Sequence, residues 1–271
     1  MDLFRKKDIG ALRSMAQKSG LTRNLSAFDL VFLGIGSVIG TGIFVLTGIG
    51  AALYAGPGIS LSFVLASIAC AFAGLAYAEY ASMVPVAGSA YAYTYASLGE
   101  FLAFIVGWNL ILEYTVTCST VAAGWPGYVV GLLASGGIEL PVAFTKVPEE
   151  GGIINVPAIV ITMFLCILLV RGTKETVMVN RILVFVKLAV IALFFILAVP
   201  NVDPMNWEPF LPYGAQGISA GAAIVFFAYI GFDAVATSAE EAKNPGRDLP
   251  IGILGSLGVC AVLYFFVALV L

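Results

Sequence analysis

Long uninterrupted apolar stretches dominate the chain, where a soluble fold would alternate apolar and polar positions. No Asp, Glu, Lys or Arg occurs between Leu30 and Ala78, and none between Ile251 and Leu271. A helix rises about 1.5 Å per residue, so about 20 apolar residues cross a bilayer's hydrocarbon core. The first stretch is too long for one crossing, and Gly56-Pro57-Gly58 divides it in two. Reading on in this way predicts seven helices, over 28–54, 58–83, 99–133, 153–170, 176–199, 216–241 and 249–271. The third exceeds a straight crossing and is expected to tilt strongly or to break near Pro126. The fourth rests on the 18 uncharged residues from Ile153 to Val170.

Composition agrees with a membrane chain. Of 271 residues, 61% are hydrophobic and 11% charged, against roughly a quarter charged in an average soluble domain. Mean hydropathy is +1.02. No basic n-region followed by a short apolar segment and a small-residue cleavage site stands at the start, so the first span is read as its own insertion signal.

The basic residues orient the spans. Arg5, Lys6, Lys7, Arg13, Lys18 and Arg23 precede the first span. Putting that end in the cytoplasm also puts Arg171, Lys174, Arg181, Lys243 and Arg247 inside, eleven of the thirteen basic residues. Lys146 alone falls in an outer loop, beside Glu139, Glu149 and Glu150. The expectation is a multi-pass protein of the plasma (inner) membrane. Residues 1–27 form a cytoplasmic segment and 28–271 a transmembrane domain. A last helix ending at Val270-Leu271 without a polar tail reads as a cut chain, and a complete seven-helix protein is the alternative.

Cys70, Cys118, Cys166 and Cys260 all fall in predicted spans, away from metal or disulfide spacing, and read as packing residues. Without histidine, proton chemistry falls to carboxylates, Lys or Tyr. No cofactor, metal or nucleic-acid partner is expected. With no nucleophile–base pair, an enzyme is the weakest reading, and a retinal photoreceptor fails for want of a lysine in 251–271.

Two spans carry unusual residues. Mid-way along the first lies Gly34-Ile35-Gly36-Ser37-Val38-Ile39-Gly40-Thr41-Gly42, four glycines in nine residues. Gly36 and Gly40, four apart, suit close helix packing, but packing does not call for Gly34 and Gly42 as well. The alternative is a helix broken at the midplane, its second half starting near Ile43 and offering free N–H groups to a carboxylate. The sixth span repeats the theme in Phe226-Phe227-Ala228-Tyr229-Ile230-Gly231-Phe232-Asp233. Two interrupted helices five spans apart point to inverted repeats around a midplane site, with a simple glycine kink as the plainer reading. Three ionisable residues lie deep in spans, at roughly 2.5–3.5 kcal/mol each near a helix centre. Glu113, with Asn109 one turn earlier, is either functional or structural. Asp233 either acts in the site or caps the half-helix after the break. Lys187 either carries a proton or snorkels to the inner interface. Glu240, Glu241, Lys243, Arg247 and Asp248 around Asn244-Pro245-Gly246 form a polar inner loop.

The stretches GIGSVIGTGIF, YAEYASMVPVAGSAYAYTYASLGEFLAFIVGWNLILEY (77–114) and FFAYIGFDAVATSAEEAKNPGRDLPIGILGSL (226–257) closely resemble the amino acid–polyamine–organocation superfamily, nearest to bacterial members of the cationic amino acid transporter family. The resemblance implies an all-α integral membrane fold, the LeuT-type five-plus-five inverted repeat. This chain would supply the first repeat and two helices of the second, lacking the eighth helix that completes the pocket. It further implies that the substrate carboxylate meets backbone N–H groups at Thr41 and Gly42, and that the amine meets carbonyls around Ile39, Phe227 and Ile230. The implied substrate site comprises Ile39, Gly40, Thr41, Gly42, Ile43, Glu113, Phe227, Ala228 and Ile230. Lys187 matches a fifth-span lysine that stands where sodium-coupled relatives hold sodium, and proton coupling falls to Lys187, Glu113 and Asp233. The function expected is import of L-amino acids coupled to protons, by rocking of a bundle against a scaffold. Rivals are a proton-independent exchanger and a non-transporting amino-acid sensor. The expected partners are an amino-acid substrate, protons and the lipid bilayer.

Overall fold

In lipid, a lone chain segment satisfies its backbone N–H and C=O groups only as a helix. The computed structural model is accordingly all-helical over the residues it describes, 4–18, 21–40, 42–171 and 173–271. The helices are α1 (Ile9–Lys18), α2 (Ala27–Val38), α3 (Thr47–Gly50), α4 (Ile59–Met83), α5 (Ser89–Ser97), α6 (Glu100–Ser135), α7 (Val156–Arg171), α8 (Thr173–Ala198), α9 (Gly214–Val225), α10 (Ala234–Thr237) and α11 (Pro245–Val270). Pairing of the β kind among the described residues is confined to an isolated parallel bridge between Leu25 and Ala242.

All seven predicted stretches are occupied by helix, two of them with interruptions. Among the described residues, five helices are long and apolar enough to cross a bilayer: Thr47–Met83, Glu100–Ser135, Thr176–Asn201, Gly214–Thr237 and Pro245–Val270. Two shorter apolar helices, Ala27–Val38 and Val156–Arg171, accompany them. Gly56-Pro57-Gly58 does turn the chain: it forms a tight 3-10 turn in which Gly56 takes φ 59°, and α4 begins directly after it. Of the two alternatives for the third span, a strong tilt or a break near Pro126, the break does not occur. Helix α6 runs unbroken through it for 36 residues, a length of about 54 Å that exceeds the roughly 30 Å core. One missing backbone hydrogen bond is not enough to end a helix with so many intact turns on either side. Two short helices outside the predicted spans, α1 and α5, complete the set.

Local chemistry explains where α2 starts. Ser26 accepts the Asp29 backbone N–H, while the Asp29 carboxylate takes the Ser26 N–H at 3.1 Å, a reciprocal cap of the first turn. Arg181 of α8 pairs with the same carboxylate.

The chain divides into two compact units, 1–103 with 179–271, and Phe104–Met178. In the first, α11 packs along α4 and α2, α4 along α9, and α10 against α2. Its core includes Leu30, Ile43, Ile59, Phe63, Tyr229, Leu249, Ile253 and Tyr264, all fully buried. Small residues allow this approach: a Cβ on Gly252 would meet Leu30 and Val235, and one on Gly34 would collide with Ser256. The segment before α2 is tied to two loops of the same unit. Leu25 N–H donates to Glu241 O at 3.0 Å and Lys243 N–H to Leu25 O at 2.8 Å. The Arg13 guanidinium reaches Met83 O at the end of α4, and Ala87 N–H donates to the Glu240 carboxylate at 3.1 Å. The second unit holds α6 from Phe104 on, a loop with two 3-10 turns, the start of α8, and α7, whose first turn is capped by Asn155 through Ala158 N–H at 3.1 Å.

Candidate functional site

Helix α2 stops at Val38, and Ile39 turns extended, at φ −73° and ψ 102°. The chain regains helix at Gly42, in a widened π turn over Gly42–Leu46. Thr41, expected to present an N–H to substrate, lies outside the described residues. The sixth span breaks in a parallel way. After α9 the backbone tightens into a 3-10 turn over Phe226–Tyr229, Ile230 becomes extended at φ −60° and ψ 138°, and α10 starts at Ala234. Gly231 takes φ 113°, a conformation that L side chains rarely adopt, and a Cβ there would lie 2.9 Å from Ser37 O.

The two interruptions abut. A Cβ on Gly42 would stand 2.8 Å from Cα of Ala228. Gly42 therefore serves close backbone approach, while Gly34 makes room for the Ser256 side chain of α11 and Gly36 for the Asn180 side chain of α8. Gly40 does neither: among the described residues nothing lies within 4 Å of its Cβ position. Of the pair that suits close packing by spacing, Gly36 makes a close contact and Gly40 does not, while Gly34 and Gly42 do.

A helix end leaves carbonyls without backbone partners, and at α2 two side chains supply donors. The Lys187 ammonium donates to Gly36 O at 2.8 Å and Ile39 O at 2.7 Å. Its nitrogen is thus turned into the first interruption rather than snorkelling to the interface. The Tyr264 hydroxyl of α11 lies 2.8 Å from Val38 O and 2.9 Å from Ala228 O, one carbonyl from each interruption. Its ring packs on Phe63 and Tyr229 with centroids 5.5 and 5.0 Å apart. Tyr229 donates in turn to Phe63 O at 3.1 Å.

The structure therefore brings Gly42 against Ala228 and Lys187 onto Ile39 in the first unit, with Gly40, Ile43 and Ile230 on the same two interrupted segments. Ile39, Ile43 and Ala228 are buried, Ile230 is half-buried, and Phe227 projects outward. Asp233 is buried at the start of α10, but its side chain makes no capping hydrogen bond there, so the capping alternative is not what it does. Glu113 is half-buried on α6, in the second unit. Tyr264 escaped the sequence reading, although a hydroxyl deep in an uncharged 21-residue stretch (251–271) was a signal, because a buried tyrosine usually finds a partner.

A multi-pass, all-helical chain with two interrupted spans meeting at a polar backbone patch has the build of a membrane permease. The chain belongs to the amino acid permease family, whose model matches residues 25–271. It is 53% identical to the branched-chain amino acid permease BcaP of Bacillus subtilis, over 99% of this chain and 59% of that protein. It is 49% identical to the methylthioribose transporter of the same organism, again over 99% and 59%. Cationic amino acid transporter 1 of Arabidopsis thaliana is 40% identical over 99% of this chain and 46% of its own length. The chain thus spans about half to three-fifths of the length of these curated relatives.

Proposed function

We propose that this sequence forms the substrate-binding part of a secondary carrier that imports L-amino acids with protons. The observation that carries the reading is the Lys187 ammonium on Gly36 O and Ile39 O, at the interruption where the α2 carbonyls lose their helical partners. Ile39 O is also the carbonyl that an amino group of substrate would seek. A carbonyl oxygen has two lone pairs, so Lys187 and a substrate amine act on the same acceptor. Protonation of the lysine then biases how the first interruption is held, and that links proton to substrate. The half-helix from Gly42 supplies backbone N–H groups and the positive end of its dipole for the carboxylate. Gly40, with open space beside it, leaves room for the substrate's α-carbon. We assign further coupling roles to the carboxylates of Glu113 and Asp233, and place the protein in the plasma membrane with its N-terminus inside.

The methylthioribose transporter among the relatives supports a second reading, since a thio-sugar has neither amine nor carboxylate. The full gene product in proteoliposomes separates the two. With an inward proton gradient, it is expected to accumulate leucine or arginine, and methylthioribose is expected not to compete. Uptake of methylthioribose without amino-acid uptake would reverse the substrate assignment. In Lys187→Ala, accumulation and its dependence on the proton gradient are expected to vanish while amino-acid exchange continues. Normal accumulation by that variant would remove the lysine from coupling, and a proton-independent exchanger would be the better description.

A further inference from the structure

We infer that Tyr264 is a positioning residue of the substrate site, tying the two helix interruptions together through a single hydroxyl. The inference rests on the carrier reading above and deepens it. Tyr264 is fully buried on α11, a helix with no interruption of its own. Its oxygen is within hydrogen-bond distance of Val38 O, the last residue of α2, and of Ala228 O, in the 3-10 turn before Ile230. A hydroxyl has one proton to donate. It therefore serves the two carbonyls in alternation or shares its proton between them, and it favours the arrangement in which both are near. That arrangement also sets Gly42 against Ala228, with no room for even a Cβ between them. The hydroxyl thus fixes the spacing of the two backbone segments that would surround a bound amino acid. Relative movement of the two spans must give up one of its two acceptors. The ring's contacts with Phe63 and Tyr229 belong to the core and do not depend on the hydroxyl.

Tyr264→Phe separates the two roles, because it keeps the ring and deletes the donor. In the full gene product the variant is expected to keep its thermal midpoint without substrate and to bind leucine or arginine about tenfold more weakly, which is the effect of one modest hydrogen bond. KM should rise with little change in maximal rate. A purely structural tyrosine would instead lower the midpoint and the amount of active protein and leave KM alone. A second measurement needs no ligand: backbone hydrogen exchange should quicken in 38–43 and 227–231 together. Unchanged affinity, exchange that quickens at one interruption only, or a variant that fails to fold would each overturn the inference. If the wild-type protein binds neither amino acid, the substrate reading fails, while the exchange measurement still decides on Tyr264.

Discussion

Glycine, lysine and tyrosine act at the first interruption for different physical reasons. Gly42 lacks the Cβ that would strike the Ala228 backbone. Relief by a side-chain shift is ruled out, since the obstacle is main chain. Gly42→Ala is therefore expected to push the interruptions apart and weaken leucine or arginine binding by tenfold or more, with the protein still inserted. Equilibrium binding to purified full gene product checks this, and wild-type affinity would remove Gly42 from the site. Substitution of Gly40 meets no neighbour among the described residues, so Gly40→Ala should leave folding unchanged and weaken binding only by narrowing the space beside the substrate's α-carbon. The sequence could mark both glycines as unusual but could not tell them apart, because which one meets Ala228 depends on a segment nearly two hundred residues away. Lys187 was legible as a buried charge without a partner in its own span. Its acceptors were not, since they are backbone oxygens exposed only because α2 ends there.

At the scale of elements, the long spans could be read directly from hydropathy, and the interruptions from glycine content and a lone carboxylate. The short helices α1 and α5 could not. Both lie between or before spans, where apolar length carries no signal, and both are held by tertiary contacts. In α5, Tyr93 stacks on Tyr80 with centroids 5.5 Å apart and meets Tyr77 edge-on at 6.0 Å. Its hydroxyl is nevertheless buried with no hydrogen-bond partner among the described residues. Burial, with the neighbouring Tyr77 adding to it, pushes that hydroxyl's pKa up, so it stays neutral throughout the physiological range. A buried unpaired hydroxyl costs about 1–3 kcal/mol. Tyr93→Phe keeps the rings and removes the unpaired group, so it should be neutral or should stabilise the protein by about 1 kcal/mol. Thermal unfolding in detergent checks this. A clear loss of stability would mean that the hydroxyl does find a partner when α5 is docked. The same reasoning explains Pro126: the residue looked like a breakpoint, but the intact turns on both sides of α6 outweigh one lost bond.

For the whole molecule, charge placement predicts an orientation, and the structure links the segments that this orientation must keep together. The chain before α2 pairs with the loop after α10 through Leu25 and Lys243, Arg13 holds the end of α4, and Glu240 holds Ala87. These segments carry most of the basic residues assigned to the cytoplasm, and they must share one face of the membrane. A single label near residue 14 therefore reports on all of them. The exposed cysteines Cys118 and Cys166 are first replaced, while Cys70 and Cys260 are buried and can remain. A cysteine at Ser135, at the end of α6, is then expected to react with an impermeant maleimide added to intact cells. One at Ser14, exposed on α1, is expected to react only after permeabilisation. The argument is energetic: inversion would place eleven basic residues on the outer face, against the bias that sets topology during insertion. Reversed labelling would invert every span together, because the bonded segments cannot be divided between the two faces without breaking the ties at Leu25, Arg13 and Glu240. Labelling of both positions from outside would be more damaging still, since it would require an odd crossing to be lost between α1 and the end of α6.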